Sequence, residues 1–388
     1  MATAIFYLKI ENGLLYVEGE IPFYRGYGNP KITLNKNAVV HHMSLNHQDV
    51  FQKTVDENND YFVTYCLEKE EAGNISIKYS TPVKGWYNLI SKEVIAISLY
   101  SHAFPSNLPD DINDSICYFV KGFEDYELYG AYWDESKELY AKSSKKLFGE
   151  IANIIALPKG RVKTYQQDKI RVIYKDNCNC ESIFSSIEIG LQAFRYYNEI
   201  YSGKELSKVD VVVLGCGEPG SAYIRDNLIV MGEPMCALPT KELQELLTNQ
   251  MFPHEFGHIW FKNADASTFE DWLNETGAEW SHLLFLLHVG KYELFDKCIE
   301  MHYDTHRRLG EEIRPKDLHH PNTVHDSGVV LFHQIYKKYG KEAIVRILQI
   351  LSNMKQQITE DYLHHIETEY SKEIAEFIRR NLDEKISI

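Results

Sequence analysis

The stretch that decides the fold is His254-Glu255-Phe256-Gly257-His258, in a chain of 388 residues. On a helix, side chains four positions apart lie on the same side, one turn above the other, so both imidazoles can reach one metal ion. The glutamate between them is placed to take a proton from a water molecule bound to that metal. This H-E-x-x-H pattern therefore predicts a helix that carries the metal site of a zinc hydrolase. The alternative is a surface helix with two solvated histidines.

A catalytic zinc ion needs a third protein ligand and an open position for water. The third ligand is expected on a later element, and Glu275 lies seventeen positions after His258. It ends the stretch Trp272-Leu273-Asn274-Glu275, at the start of the next segment with helical spacing. Glu275 is therefore a candidate for the third ligand.

These two stretches resemble the metal-binding core of the membrane alanyl aminopeptidase family of gluzincin metallopeptidases. The resemblance is carried by His-Ile-Trp-Phe-Lys-Asn at residues 258–263 and by Trp-Leu-Asn-Glu at residues 272–275. In the family, the Glu of the Trp-Leu-Asn-Glu stretch is the third zinc ligand. The resemblance thus implies one Zn²⁺ ion bound by His254, His258 and Glu275.

The same resemblance implies roles for two further glutamates. Glu255 is the general base, which takes the proton of the attacking water and later delivers it to the leaving amine. Glu279 lies one helical turn after Glu275, where thermolysin-like enzymes carry an acidic partner for a ligand histidine. It is therefore expected to orient such a histidine.

One position departs from the family pattern at the site that stabilises the oxyanion. In the family, a Tyr that opens a later helix has this role, and the corresponding residue here is His325, which precedes a helix ending at Gly340. An imidazolium can donate a hydrogen bond to an oxyanion, so His325 is the catalytic candidate in place of the Tyr. The alternative is a helix-entry residue without a chemical role.

A second departure concerns the loop that binds the free amine of the substrate. In the family's aminopeptidases this is the Glu of a Gly-x-Met-Glu-Asn loop, which by position falls in residues 220–227, before a strand at residues 228–231. That segment contains no Glu, and Tyr223, Arg225 and Asp226 are the candidate substrate-binding residues. An extended peptide could still pair with the strand through its backbone. Both exopeptidase and endopeptidase activity therefore remain open.

The periodicity of the chain changes near residue 134. Residues 5–132 alternate short β-type runs with turn residues, which is typical of an antiparallel β domain. Further on, strand-like pieces lie between segments in which apolar positions recur at helical spacing, at residues 134–155, 181–201, 240–247, 269–289, 326–339 and 341–354.

The predicted fold class is α+β, with an N-terminal antiparallel β domain at residues 1–140 and a catalytic domain at residues 141–388. The resemblance implies that the catalytic domain is thermolysin-like, with a small sheet and a mostly α-helical half. It also implies a short form, because the chain has no room for the C-terminal domains of larger members.

A competing motif precedes the candidate substrate loop. Residues 215–220 read Gly-Cys-Gly-Glu-Pro-Gly, a formal G-x-G-x-x-G after an apolar strand at residues 209–214. The dinucleotide-binding fingerprint requires a helix immediately afterwards, whereas residues 221–231 are short and β-like. A strand–turn–strand hairpin is therefore predicted, with nucleotide binding as the alternative.

Composition excludes several partner classes. The chain has 41 Lys and Arg against 56 Asp and Glu, a formal net charge of −15, so phosphate backbones and anionic membranes are poor partners.

Seven cysteines are an odd number and do not indicate a disulfide framework. The first residues lack a secretory leader, and no run of 18 apolar residues occurs. A cytoplasmic location is predicted, with a mature secreted form as the alternative, and the oligomeric state is not predicted.

The resemblance implies a zinc-dependent peptidase that hydrolyses peptide bonds with metal-activated water, with aminopeptidase-like activity on peptide substrates. Three alternatives remain because the usual Tyr and the amine-binding Glu are absent. They are a zinc endopeptidase, a zinc hydrolase of a non-peptide bond, and a zinc-binding pseudo-peptidase that acts as a binding protein.

Overall fold

A computed structural model gives the fold. It describes residues 4–23, 31–48, 51–54, 62–67, 72–84, 88–98, 101, 103–105, 116–121, 123–130, 132–136, 139–144, 154–225, 227–266, 268–316, 321–384 and 386. The chain folds as two compact units, of which the first comprises residues 1–178 and 207–233 and the second residues 179–206 and 234–388. The proposed domain boundary near residue 140 stays a prediction.

The first unit holds the strands. They are β1 Ala4–Glu11, β2 Leu14–Phe23, β3 Lys31–Asn35, β4 Val39–Leu45, β5 Phe51–Thr54, β6 Phe62–Leu67, β7 Gly73–Pro82, β8 Leu89–Ile90, β9 Ile95–Ile97, β10 Ile116–Lys121, β11 Tyr126–Tyr129, β12 Tyr132–Asp134, β13 Leu139–Ser144, β14 Ile154–Pro158, β15 Val162–Gln167, β16 Ile170–Lys175, β17 Val209–Val213, β18 Ala222–Arg225 and β19 Leu228–Met231. Within the described residues they form four sheets, ordered β12-β13-β10-β1-β2-β7-β4, β11-β14-β9-β8, β3-β6-β5 and β15-β16-β17-β19-β18.

Burial alternates along β1 in the seven-stranded sheet, which places one face of this strand in a core. In β1, Ala4, Phe6 and Leu8 are buried while the residues between them are more exposed, as expected for a strand with one face in a core. Gly19 lies opposite Phe6 on β2, and a Cβ there would come within 2.4 Å of the Phe6 ring. The glycine therefore leaves space for an aromatic ring across the strand pair. Pairing is antiparallel throughout this sheet except between β1 and β10, which run parallel.

The helix predicted at residues 134–155 is wrong for the described part of that range, residues 134–136, 139–144 and 154–155, whereas residues 137–138 and 145–153 lie outside the described residues. Within that range the structure has β13, which pairs with β10, and the start of β14, which lies between β11 and β9. Four consecutive residues of β14, Ile154 to Leu157, are buried. A strand buried on both faces reads as an apolar run, which periodicity cannot distinguish from part of a buried helix.

The hairpin predicted around the glycine-rich segment is not formed, because β19 lies between β17 and β18 in the five-stranded sheet, and the hairpin lies further along the chain, between β18 and β19. β17 runs parallel to β16 and β19, whereas β18 and β19 pair antiparallel, with β18 at the edge. Gly215, Gly217 and Gly220 all have positive φ (63°, 91° and 73°) in the connection between β17 and β18, a conformation that favours glycine. The glycine-rich segment is thus a turn between strands, and no helix follows it.

The second unit holds the helices. They are α1 Glu181–Ile200, α2 Lys241–Gly257, α3 Asp271–His288, α4 Tyr292–Leu309, α5 Ser327–Tyr339, α6 Lys341–Asn353, α7 Thr359–Glu369 and α8 Lys372–Leu382, with a short 3-10 turn at Met235–Ala237. The predicted helices match α1, α3, α5 and α6 closely. The segment predicted at residues 240–247 and the helix predicted at the H-E-x-x-H residues belong to the single helix α2, and α4 was not predicted. None of the described helices is long and apolar enough to cross a membrane.

Three tryptophans lie in the core of the helical unit. Trp260, Trp272 and Trp280 have at most 1% exposure, and each indole N–H donates a hydrogen bond within the unit. Trp260 follows the H-E-x-x-H residues, and the other two lie on α3. Large rigid rings therefore surround both helices that carry the candidate metal ligands.

Candidate metal centre

The start and middle of α2 are held by specific contacts. Thr240 caps the helix, because its hydroxyl accepts a hydrogen bond from the Leu243 N–H at 3.2 Å. Pro253 removes one backbone donor immediately before His254. The Tyr197 hydroxyl donates to the Pro253 carbonyl at 3.0 Å, which fixes this turn against α1.

Gly257 lets α2 approach α3 closely, and Gly277 lets α3 approach the segment that follows α2. A Cβ on Gly257 would lie 2.8 Å from the Cα of Ala278, and a Cβ on Gly277 would lie 2.4 Å from the ring of Phe261. Since real Cβ atoms do not approach so closely, larger residues would push the helices apart. The short separation brings the carboxylate on α3 to the two histidines on α2.

We expect Gly257→Ala to lower the free energy of unfolding by ~1–3 kcal/mol, as overpacked substitutions do, and to weaken zinc binding because the carboxylate moves away. Gly203→Ala is the matched control, since the nearest atom to its Cβ would be 3.8 Å away. Denaturant unfolding and zinc titration measure both effects. Equal behaviour of the two variants would contradict the close-approach argument.

The three predicted ligands converge on one point. His254 Nε2 lies 3.2 Å from His258 Nε2 and 3.3 Å from Glu275 Oε2, and His258 Nε2 lies 3.7 Å from the same oxygen. Ligands bound tetrahedrally to zinc at ~2.0–2.1 Å are separated from one another by about 3.4 Å. The three donor atoms thus have the mutual spacing that one tetrahedral ion requires, and their residues form the only cluster of three such groups found in the described residues that could hold a metal ion.

The hydrogen bond at Nδ1 of each histidine determines which ring nitrogen is free to bind a metal ion. His254 Nδ1 donates to Glu279 Oε2 at 2.8 Å, and His258 Nδ1 donates to the Phe261 carbonyl at 2.9 Å. Both acceptors are oxygens that carry no proton, so in the neutral rings each Nε2 presents its lone pair to the shared point. Glu275 Oε2 is buried, and its nearest described donors, His325 Nδ1 at 2.8 Å and His254 Nε2 at 3.3 Å, do not meet it with good hydrogen-bond geometry. The donor set therefore fits a zinc ion.

Burial and charge act in opposite directions on these groups. Burial raises the pKa of Glu275, but the charges of His325 and His258 outweigh it and hold the pKa well below its usual range. Burial lowers the pKa of His254, but the carboxylates of Glu275 and Glu279 outweigh it and hold that pKa well above its usual range. Without a metal ion the site therefore keeps Glu275 ionised and His254 protonated, so metal binding has to displace the proton of His254.

Glu255 lies between the two ligand histidines on α2 and is 6% exposed. Its Oε2 atom is buried and has no hydrogen-bond partner among the described residues. A buried carboxylate oxygen without a hydrogen-bond partner lowers the stability of the fold, so packing alone does not explain this carboxylate. It is available to accept a proton from a bound water molecule.

His325 lies in the turn immediately before α5. Its Nδ1 is 2.8 Å from Glu275 Oε2, and its side chain is 59% exposed. Partial burial lowers the pKa of His325, but the Glu275 carboxylate raises it to about 9. The structure thus brings this predicted residue beside the predicted third ligand.

Glu279 has more partners than the sequence indicated. Besides His254, it accepts hydrogen bonds from Gln250 Nε2 at 3.1 Å, His282 Nδ1 at 3.1 Å and His302 Nε2 at 3.3 Å. His302 Nδ1 in turn donates to Asp326 Oδ1 at 2.9 Å. Burial raises the pKa of Glu279, but the histidines outweigh it and hold the pKa well below its usual range.

Sequence reasoning did not identify these additional partners. The i,i+3 spacing from Glu279 to His282 on a helix was a usable signal. His302 was missed because the helix that carries it was not predicted, although Leu294, Phe295, Cys298 and Ile299 recur there at helical spacing.

The candidate substrate residues lie in the first unit. Tyr223 is buried at 7% exposure in an apolar cluster, opposite Val230 on the paired strand. Arg225 ends β18, but its side chain lies outside the described residues, and so does all of Asp226. Their role in substrate binding stays a prediction.

No protein-family model matches the sequence, and no curated protein matches it significantly. Solved structures do match. An M1 zinc metallopeptidase from Deinococcus radiodurans has a TM-score of 0.62 at 15% identity, with 100% of this chain and 94% of that chain covered. Yeast LTA4 hydrolase has a TM-score of 0.68 at 12% identity over 100% of this chain and 68% of that one.

An aminopeptidase N family protein from Idiomarina loihiensis has a TM-score of 0.64 at 8% identity, with 99% of this chain and 76% of that chain covered. At such low identity the likeness shows the fold. The chain has the mixed α+β fold of these zinc metallopeptidases, with a sheet-rich N-terminal part and a helical C-terminal part. The predicted fold class is therefore confirmed.

Proposed function

We propose that this chain is a zinc-dependent peptidase related to the membrane alanyl aminopeptidases, with one Zn²⁺ held by His254, His258 and Glu275. The observation that carries the proposal is the triangle of donor atoms, with sides of 3.2, 3.3 and 3.7 Å. Three protein ligands leave the fourth coordination position of a tetrahedral zinc ion open for water, as in catalytic zinc sites. The fold shared with zinc metallopeptidases supports the same conclusion.

The chemistry that the ion supplies when bound is polarisation of a carbonyl and a bound-water pKa lowered towards ~7. Glu255 takes the proton of the attacking water, because its Oε2 is buried and without another partner. It then delivers that proton to the leaving amine. Glu279 holds the ring of His254 through the 2.8 Å hydrogen bond to Nδ1, which keeps Nε2 directed at the metal position.

His325 is the proposed oxyanion donor. Its Nδ1 lies 2.8 Å from a predicted ligand atom, so the ring is already at the edge of the site. The exposed side chain can reach a substrate oxygen there, whereas a fully buried one could not. A donor aimed at the developing negative charge stabilises the tetrahedral intermediate.

The proposed substrates are peptides with a free amine. The formal net charge of −15 favours cationic ligands through the overall field of the protein, which partly replaces the missing anchoring Glu. Aminopeptidase-like activity is preferred over endopeptidase activity because residues 258–263 and 272–275 resemble the aminopeptidase family.

A substrate screen tests the proposal. Zinc-loaded protein is incubated with amino-acid amides, free peptides and N-blocked peptides, and products are followed by mass spectrometry. Cleavage confined to substrates with a free amine is the expected result. Cleavage of blocked peptides would identify an endopeptidase instead, and no cleavage of any of them would contradict a peptidase function.

A further inference from the structure

One histidine outside the proposed ligand set joins two carboxylates in the core of the helical unit. His302, on α4, is 9% exposed, and its two ring nitrogens contact Glu279 Oε1 at 3.3 Å and Asp326 Oδ1 at 2.9 Å. Ionised carboxylates only accept hydrogen bonds, so both nitrogens of the ring donate. His302 is thus a cationic link between two anionic groups.

The two carboxylates connect His302 to different parts of the proposed metal site. Glu279 binds Nδ1 of His254, a proposed metal ligand. Asp326 is adjacent to His325, which lies 2.8 Å from the ligand Glu275. The contacts therefore form a closed network. It runs from His254 through Glu279 to His302, and from there through Asp326 and the turn before α5 to His325, which contacts Glu275.

We propose that His302 is a positioning residue that fixes the metal site from two sides, through Glu279 and His254 and through Asp326 and the turn that carries His325. The inference rests on the proposed zinc site and deepens it. Without His302, Glu279 loses one donor, and its carboxylate can rotate away from His254. Asp326 also loses its tie to α4, so the turn before α5 is held less firmly.

A neighbouring histidine separates this role from ordinary core packing. His306, one turn later on α4, is fully buried, with Nδ1 2.9 Å from the Ser327 hydroxyl and Nε2 donating to the Ile386 carbonyl at 3.2 Å. It also contacts the start of α5, but it makes no hydrogen bond to Glu279. His306→Leu is therefore a matched control for His302→Leu.

Zinc affinity, measured by competition with a chromophoric chelator, tests the proposal without using activity. We expect His302→Leu to bind zinc ~10–100-fold more weakly, as outer-shell changes do. His306→Leu should stay within about twofold of the unmodified chain while losing a similar amount of stability. His302→Gln, which keeps N–H donors, should recover part of the loss.

Asp326→Ala tests the same link without changing the buried imidazole of His302. The substitution is made at the partly exposed partner, whose side chain is 16% exposed. It should weaken zinc binding several-fold. The d–d absorption of the cobalt-substituted protein should change in His302→Leu and in Asp326→Ala but not in His306→Leu, since it reports ligand geometry.

A double-mutant cycle with Glu279→Gln asks whether His302 acts through that carboxylate. In the Glu279→Gln background, His302→Leu should have a clearly smaller effect on zinc affinity than alone. Additive effects, or equal losses in the His302→Leu and His306→Leu variants, would overturn the inference while leaving the zinc site intact. Failure of the unmodified chain to bind zinc would overturn the proposed function and the inference together.

Discussion

Glu255→Gln is expected to lower kcat for peptide hydrolysis by about 10²–10⁴-fold, the usual contribution of a general base, with the zinc content unchanged. Gln has nearly the same shape as Glu, but its amide cannot take a proton from water. The Glu255 side chain makes no hydrogen bond through Oε2 in the described structure, so the change leaves no partner unsatisfied. Initial rates on a free peptide and metal analysis measure the two quantities.

Glu245→Gln is the matched control, since this exposed residue lies on the same helix and undergoes the same chemical change. It should retain the rate of the unmodified chain. Full hydrolysis by Glu255→Gln would exclude Glu255 as the base and remove the main argument for the zinc-hydrolase mechanism.

Glu275→Ala is expected to release the metal. The carboxylate is the anionic member of the three-atom cluster and is 3.3 Å from His254 Nε2 and 3.7 Å from His258 Nε2. Two neutral imidazoles alone bind zinc far more weakly, so the loss should exceed the ~10–100-fold of an outer-shell change. Dialysed protein should then contain well under one zinc ion per chain, and the stabilisation that added zinc gives the unmodified chain should disappear.

Glu293→Ala, at an exposed position on α4, controls for loss of a carboxylate alone and should keep its zinc. Normal zinc content in Glu275→Ala would show that another residue completes the ligand set. His325, 2.8 Å from the same oxygen, would then be the next candidate.

The convergence of the three candidate metal ligands was predictable because most of its geometry is local. His254 and His258 are one turn apart on a helix, and Glu275 lies early on the next helix, so only one loop separates the three. Their meeting depends on the close approach at Gly257 and Gly277, which the sequence shows only as two small residues.

Contacts between distant segments were not predictable in the same way. His302 reaches Glu279 because α4 packs beside α3, and neither periodicity nor a motif specified that pairing. The parallel pairing of β1 with β10 joins strands more than a hundred residues apart. The buried strand β14 has the same apolar pattern as a helix, so only its pairing with β9 and β11 identifies it.

The buried tryptophans give the helical unit an intrinsic optical reporter. Three of the five tryptophans in the chain, at positions 260, 272 and 280, are in this unit, and all three are shielded from water. Their emission should lie at short wavelength in the folded state and shift to the red when the unit opens. Because two of them lie on the helix that carries Glu275, fluorescence can follow how the loss of metal changes the unfolding of this unit without any added label.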